Sequence, residues 1–93
     1  MRRIVVLPSF ERGVKKLTHQ AQRQLAKSLE RFNEFFQSGQ FPQGFGFKKI
    51  NHDKYEFRVD IRLRVVLKEE DDVFYLVLVG DHDDVKRYLR DFR

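Results

Sequence analysis

The sequence predicts a single α+β domain over residues 1–93, with an N-terminal strand, a helical hairpin, an antiparallel sheet of about four strands and a C-terminal helix. Two observations carry this prediction: strict apolar alternation in residues 55–67 (YEFRVDIRLRVVL), and apolar residues at helical spacing on either side of that stretch. A chain of 93 residues is long enough for one modest core. Consecutive strands joined by short turns favour antiparallel pairing, with the helices on one side of the sheet.

The first part of the chain reads as a strand followed by two helices. Residues 3–7 (RIVVL) form the strand, which ends at Pro8 because proline cannot donate to a strand ladder. A short helix follows, and Thr18 is a suitable N-cap for a longer helix that reaches about Gln37. The apolar stripe of the two helices consists of Phe10, Val14, Leu17, Ala21, Leu25, Leu29, Phe32 and Phe36.

The middle of the chain combines an aromatic loop with the alternating stretch. The phenylalanines of residues 41–47 (FPQGFGF) can stack on bases or seal the core, and the general burial of Phe favours sealing. Lys49 and Ile50 then begin a short strand. The alternating stretch has 13 residues, more than the usual length of about three to ten. It therefore predicts a hairpin with its turn near residues 60–62.

The last third of the chain predicts a strand and a helix. Residues 68–72 (KEEDD) form an acidic turn, and residues 73–80 (VFYLVLVG) form an apolar central strand with both faces covered. Val85, Tyr88, Leu89 and Phe92 are spaced as one helical face. The aspartates at 81, 83 and 84 lie where acids cap a helix and oppose its dipole.

Composition limits the functional classes. The net charge is +5 and the pI about 9.7, which favours a polyanionic partner such as RNA, DNA or an acidic protein. The chain has no cysteine, so disulfides, thiolate metal sites and cysteine nucleophiles are excluded. No apolar run approaches the roughly 18 residues of a membrane span, and the apolar run of the opening MRRIVVLP is too short for a signal peptide. We predict a cytoplasmic protein without a membrane partner.

The arginines of the hairpin are the first candidates for function. As one strand, Arg58, Arg62 and Arg64 would share a face and could hold a phosphate. A turn at residues 60–62 leaves Arg62 facing solvent and keeps the other two as candidates. The alternative is that they form ordinary surface salt bridges with Glu56 or Asp60.

The run DHDD at residues 81–84 contains residue types that bind divalent metals. Helix capping explains its aspartates, and the sequence offers no second ligand cluster. We therefore predict no metal and no cofactor. Phosphate loops, nucleophile elbows and zinc spacings are also absent from the sequence.

The order of elements and several short motifs resemble the RelE/ParE superfamily of type II toxin–antitoxin toxins. Residues 55–59 (YEFRV) are similar to a Y-x-L-R-V strand, and residues 63–67 (LRVVL) to a Y-R-V-I-Y strand. Residues 79–82 (VGDH) resemble a V-G-x-R or V-G-H-H strand end, and residues 82–85 (HDDV) an H-D-D-A/V-Y motif. The LPSF opening and the Lys49-Ile50 pair complete a resemblance over nearly the whole chain.

The resemblance implies a ribonuclease that cleaves mRNA on the ribosome without metal, by attack of a ribose 2′-OH on the adjacent phosphate. That reaction needs a base, positive charge at the phosphorane and an acid for the leaving oxygen. By motif, Arg64 matches a phosphate-binding arginine, and Arg58 matches a second basic position. His82 stands where many members have arginine, and imidazole suits acid or base work. Further possible catalytic or RNA-binding residues are Lys49, Tyr88 and Lys86.

The chain also departs from the family pattern. Glu56 stands where ribonuclease members can have lysine, and Lys86 where a tyrosine is expected, with Tyr88 nearby. The resemblance implies a cognate acidic, partly disordered antitoxin as partner, together with the ribosome and mRNA. Two alternatives stay open: a ParE-like inhibitor of DNA gyrase, and a catalytically silent member that only binds a protein partner or RNA.

Overall fold

The computed structural model describes residues 3–39 and 46–91. Within these ranges the elements follow the predicted order of strand, two helices, strands and helix. Phe92 and residues 41–45 of the predicted aromatic loop lie outside the described residues. The elements are β1 (Arg3–Val6), α1 (Pro8–Lys15), α2 (His19–Ser38), β2 (Lys48–Lys49), β3 (Lys54–Arg58), β4 (Arg64–Glu70), β5 (Val73–Gly80) and α3 (His82–Asp91).

The five strands described form one mixed sheet in the order β1-β5-β4-β3-β2. The pairs β2–β3, β3–β4 and β4–β5 are antiparallel, whereas β1 runs parallel to β5. The α+β class is therefore confirmed, but the sheet differs from the predicted antiparallel sheet of about four strands. The difference arises because β1 reaches its partner through both helices and three other strands, so no short turn in the sequence indicates this pairing.

The two long hairpins have different turns. At the first, the amides of Arg62 and Leu63 donate to Asp60 Oδ1, each at 2.7 Å, and this confirms the turn predicted at residues 60–62. At the second, Asp71 and Asp72 have φ of 52° and 65° and form a two-residue turn. Strand β4 therefore extends to Glu70, and this turn is shorter than the predicted residues 68–72.

Helix α2 is amphipathic and has the predicted ends. The Thr18 hydroxyl accepts from the Ala21 amide at 3.1 Å, and Gly39 ends the helix with φ 79°. Leu25, Phe32 and Phe36 are buried, while most polar residues of the helix are exposed. In the described part of the chain, no helix combines the length and apolar character needed to cross a membrane.

One face of the sheet packs against α1 and α2 around Phe32. The Phe32 ring lies 5.2 Å from the ring of Phe57 and 5.5 Å from that of Phe36. Phe47 stacks on Phe32 at 6.0 Å and on Tyr55 at 5.3 Å, so this phenylalanine seals the core as predicted. The buried cluster consists of Phe10, Leu25, Phe32, Phe36, Phe57, Leu63, Val65, Leu67, Phe74, Leu76 and Val79.

Helix α3 lies on the opposite face, so the prediction that the helices share one side of the sheet is wrong for this helix. It contacts β4 and β5. Val66 and Val85 are buried, yet neither belongs to the cluster under α1 and α2. Val66 alternates with the cluster residues Val65 and Leu67, so its side chain points to the other face. An apolar stripe on a terminal helix does not indicate which face of a sheet it will cover.

Gly13 allows α1 to lie unusually close to β5. A Cβ atom at this position would meet the Val79 carbonyl oxygen at 2.7 Å and Val79 Cγ1 at 3.0 Å. These distances are below van der Waals contact, and the carbonyl belongs to a strand paired on its other side with β4. The helix would have to move away from the sheet to accommodate any side chain here.

We predict that Gly13→Ala destabilises the protein by about 1–3 kcal/mol, although alanine is the better helix former. The cause is the collision with the Val79 carbonyl. Urea unfolding measures this difference, and Glu11→Ala on the exposed side of α1 serves as the control, with a change below about 1 kcal/mol. A Gly13→Ala variant more stable than the wild type would contradict this packing of α1.

Candidate functional site

The face of the sheet under α3 carries rows of basic side chains. Arg58 pairs with Arg64, which pairs with Gly80 in β5. Two residues back along β3, Glu56 pairs with Lys48 on one side and Val66 on the other. Alternate residues of a strand share a face, so these rows lie side by side on the surface that α3 partly covers. The basic residues of this face are Lys48, Lys54, Arg58, Arg64 and Lys68.

Arg58 and Arg64 line a cavity of about 340 Å³ together with Gly46, Phe47 and Lys48. Arg58 is exposed and forms no ion pair with the residues that the structure describes. The Arg64 side chain is 20% exposed, and its buried Nε has no hydrogen-bond partner among residues 3–39 and 46–91. An unused buried donor costs about 1–3 kcal/mol, which an anion in the cavity would offset. We name this the arginine cavity.

Gly46 forms one wall of the arginine cavity with φ 77°. A Cβ atom at Gly46 would lie 3.0 Å from Arg58 Nε and 3.6 Å from Arg58 Cβ. The backbone of Gly46 therefore lies directly against the Arg58 side chain. Glycine adopts this φ without strain, so both the conformation and the close approach favour it here.

Glu56 lies between two of the cations. Its side chain is 7% exposed, and its Oε1 lies 3.1 Å from Lys48 Nζ and 3.4 Å from Arg64 Nη1. The carboxylate therefore orients Arg64 and partly neutralises it. The sequence indicates Glu56 both as a departure from the family pattern and as a salt-bridge partner of the arginines, and the ion pair with Arg64 confirms this second expectation. It does not single out Lys48. The available signal was the basic pair at residues 48–49 immediately before a strand.

Lys49, His82 and Lys86 lie together in a second cavity of about 300 Å³, which also includes Glu56. His82 follows Gly80, the partner of Arg64, by two residues. Lys49 also approaches the Tyr55 ring, with Nζ 5.9 Å from its centroid. We name this the α3 cavity, and its lining residues are Lys48, Lys49, Ile50, Glu56, His82, Val85, Lys86 and Leu89.

Tyr88 lies apart from the other predicted site residues. It lines a third cavity, of about 760 Å³, between α1 and α3, beside Arg12 and Leu63. The structure thus brings together Arg58 with Arg64, and His82 with the two lysines, in neighbouring cavities that share Lys48. Tyr88 lines neither of these two.

The aspartates at the start of α3 cap the helix. The Asp84 amide donates to Asp81 Oδ1 at 2.8 Å, and the Asp81 amide donates to Asp84 Oδ2 at 3.0 Å. The hydrogen bond from the Asp84 amide is the main cause that lowers the pKa of Asp81 from its ordinary value of 3.8. Residues 3–39 and 46–91 contain no group of three or more histidine or acidic side chains arranged to hold a metal ion.

We predict that Asp81→Ala lowers the melting temperature at pH 7 and that this difference shrinks in acid. A carboxylate whose pKa is lowered by folding stabilises the protein above pH 3.8, and its contribution is lost as the pH falls through the folded-state value. Thermal unfolding at pH 7 and pH 3 measures the effect. Asp83→Ala, which removes an acid of the first turn, is the control with the smaller decrease. Equal decreases would contradict the capping role of Asp81.

The sequence matches no family model and no curated protein. Among solved structures, it is similar to the RelB–RelE antitoxin–toxin complex from Methanococcus jannaschii, with TM-score 0.69 and 16% identity over 90% of this chain and 96% of that chain. YafQ from E. coli BL21(DE3) matches with TM-score 0.64 and 14% identity over 91% and 98%. The YoeB–YefM complex from Staphylococcus aureus matches with TM-score 0.63 and 16% identity over 88% and 98%.

These similarities define the class of fold. The chain has the RelE-like toxin fold, which it shares with RelE, YafQ and YoeB, and the RelE structure is that of an antitoxin–toxin complex. The predicted resemblance is thereby confirmed at the level of fold. At 14–16% identity the similarity extends no further than the fold.

Proposed function

We propose that this protein is the toxin of a type II toxin–antitoxin system and acts as a ribosome-dependent endoribonuclease in the cytoplasm. The observation that carries the proposal is the arginine cavity. Two arginines stand directly opposite each other on a RelE-like sheet, and one of them has a buried donor without a partner in the described part of the chain. Like charges on opposite residues of a strand pair repel, so an anion between them relieves a cost of the fold.

The arginine cavity suits the phosphate at which RNA is cut. In this reaction the ribose O2′ forms a bond to phosphorus while the bond from phosphorus to O5′ breaks. The products are a 2′,3′-cyclic phosphate and a 5′-hydroxyl. Negative charge grows on the phosphoryl oxygens in the transition state, and guanidinium groups stabilise it through paired N–H donors. We assign this role to Arg58 and Arg64.

The α3 cavity supplies groups for the remaining tasks. The proton of the 2′-hydroxyl must be accepted and the leaving O5′ must be protonated, so at least one titrating side chain is needed. We assign His82 to one of these transfers, because the ordinary pKa of histidine lies near neutrality. Lys49 and Lys86 share its cavity and would contact the RNA backbone.

The proposed partners follow from charge and from the neighbours. A net charge of +5 favours an acidic antitoxin that orders itself on the toxin, and mRNA on the ribosome. The similar RelE and YoeB structures were solved as the RelB–RelE and YoeB–YefM complexes. We propose that the present chain is likewise inhibited by forming a complex with its antitoxin.

A second candidate is a relative that binds without cutting. Glu56 supports this candidate, because its carboxylate already forms ion pairs with Lys48 and Arg64. Tyr88 lies outside the arginine cavity and the α3 cavity, so one possible proton donor is missing from them. This position also supports the candidate that binds without cutting. Inhibition of gyrase, as in ParE-like proteins, is a third outcome that the same experiment separates.

We predict that induction of the protein in cells produces codon-positioned mRNA cuts, and that Arg64→Ala reduces them about 10²–10³-fold. The physical reason is the loss of charge stabilisation at the phosphorane. Mapping of mRNA 5′ ends measures the cuts, with Arg23→Ala on the exposed side of α2 as the matched control.

Three results distinguish the alternatives. Cuts that persist in Arg64→Ala would contradict the role of the arginine cavity. Growth arrest with intact mRNA and gyrase-dependent DNA breaks would replace the ribonuclease with a gyrase inhibitor. Growth without arrest or cuts would identify the non-cutting relative.

A further inference from the structure

The α3 cavity combines an apolar part with charged and titratable side chains. Ile50, Val85 and Leu89 give it an apolar part, and the other lining residues are charged or titratable. Small-molecule sites typically combine an apolar lining with a few placed polar groups. At about 300 Å³ the cavity falls at the lower end of typical ligand sites.

Glu56 lines this cavity and carries a carboxylate oxygen that no described residue uses. Both of its ion pairs are made by Oε1, and no described residue donates a hydrogen bond to Oε2. The side chain is more than nine-tenths buried, with 7% exposed. An ionised carboxylate can only accept hydrogen bonds, so a ligand in this cavity must bring an N–H or O–H donor.

We infer that the α3 cavity binds a nucleobase with an exocyclic amino group, through Glu56 Oε2. Cytosine carries such a group at C4, and carboxylates accept from it in base recognition. Uracil has a carbonyl oxygen at C4 in place of the amino group. This oxygen would face the Glu56 carboxylate with no proton between the two acceptors. The cavity therefore discriminates between two rings of nearly identical shape.

The two cavities are placed to take one nucleotide together. Lys48 lines both, and Glu56 of the α3 cavity contacts Arg64 of the arginine cavity. Arg58 and Glu56 are two residues apart on β3, which corresponds to about 6.6 Å along the strand. A phosphate between the arginines thus leaves the attached base at Glu56. This inference rests on the proposed function, because it takes the phosphate site to be a site for RNA.

The alternative is that Glu56 only anchors its two cations. Removing the charge would then free Lys48 and Arg64 and change the affinity for every nucleotide by the same factor. A role in base recognition instead changes the ratio of affinities between nucleotides. The ratio therefore separates the two roles of Glu56.

Titration of the purified protein with CMP and with UMP measures this ratio, since the two probes have the same sugar and phosphate. We expect CMP to bind about tenfold more tightly to the wild type. In Glu56→Gln the ratio should fall to about one or below, because the new amide can donate to the uracil carbonyl. Glu70→Gln, at an exposed carboxylate on β4, is the matched control and should keep the wild-type ratio.

Each remaining outcome has a distinct meaning. Equal affinity of the wild type for CMP and UMP would overturn the base site and leave the phosphate site intact. A wild-type ratio in Glu56→Gln would overturn the role of Glu56. Arg64→Ala should weaken the binding of both nucleotides and preserve the ratio of their affinities. Binding of neither nucleotide by the wild type would overturn both cavities, whereas failure of the proposed function appears separately, as absent mRNA cuts in cells.

Discussion

The rest of the structure depends on the register of the β3–β4 hairpin. Two hydrogen bonds to Asp60 fix its turn, and the turn fixes which residues stand opposite each other. A slip by one residue would place Phe57 on the basic face under α3 and Arg58 in the aromatic core under α1 and α2. The same register that buries Phe57 against Phe32 therefore sets Arg58 opposite Arg64. The register of this one hairpin therefore determines both the packing of the core and the geometry of the site.

Local patterns in the sequence predicted most of the helices and strands. They did not predict which strand β1 pairs with or which face of the sheet α3 covers. The cap at Thr18, the end at Gly39 and the turn after Arg58 each depend on a few neighbouring residues, so they can be predicted from the sequence. The parallel pairing of β1 with β5 and the face chosen by α3 depend on contacts between distant segments. Periodicity in one segment contains no information about its distant partner.

The same distinction applies to the candidate site. The motif that marked Arg58 and Arg64 lies within one hairpin, and their pairing followed from it. The contact of Glu56 with Lys48 joins two strands across an irregular connection, and the sequence did not indicate it. The position of Tyr88 depends on the face that α3 covers. Side chains on that helix could be assigned to a cavity only after its packing was known.

The two walls of the α3 cavity belong to parts of the chain with different local stability. One wall is a strand within the sheet, whose opening requires the core to separate. The other is the last described helix, which is held at its start by two aspartates and in its middle by Val85. Helices with few buried contacts open locally well below the free energy of global unfolding. Hydrogen exchange should therefore be faster on the helical wall than on the strand that faces it, and any local opening of α3 would remove one wall of the cavity.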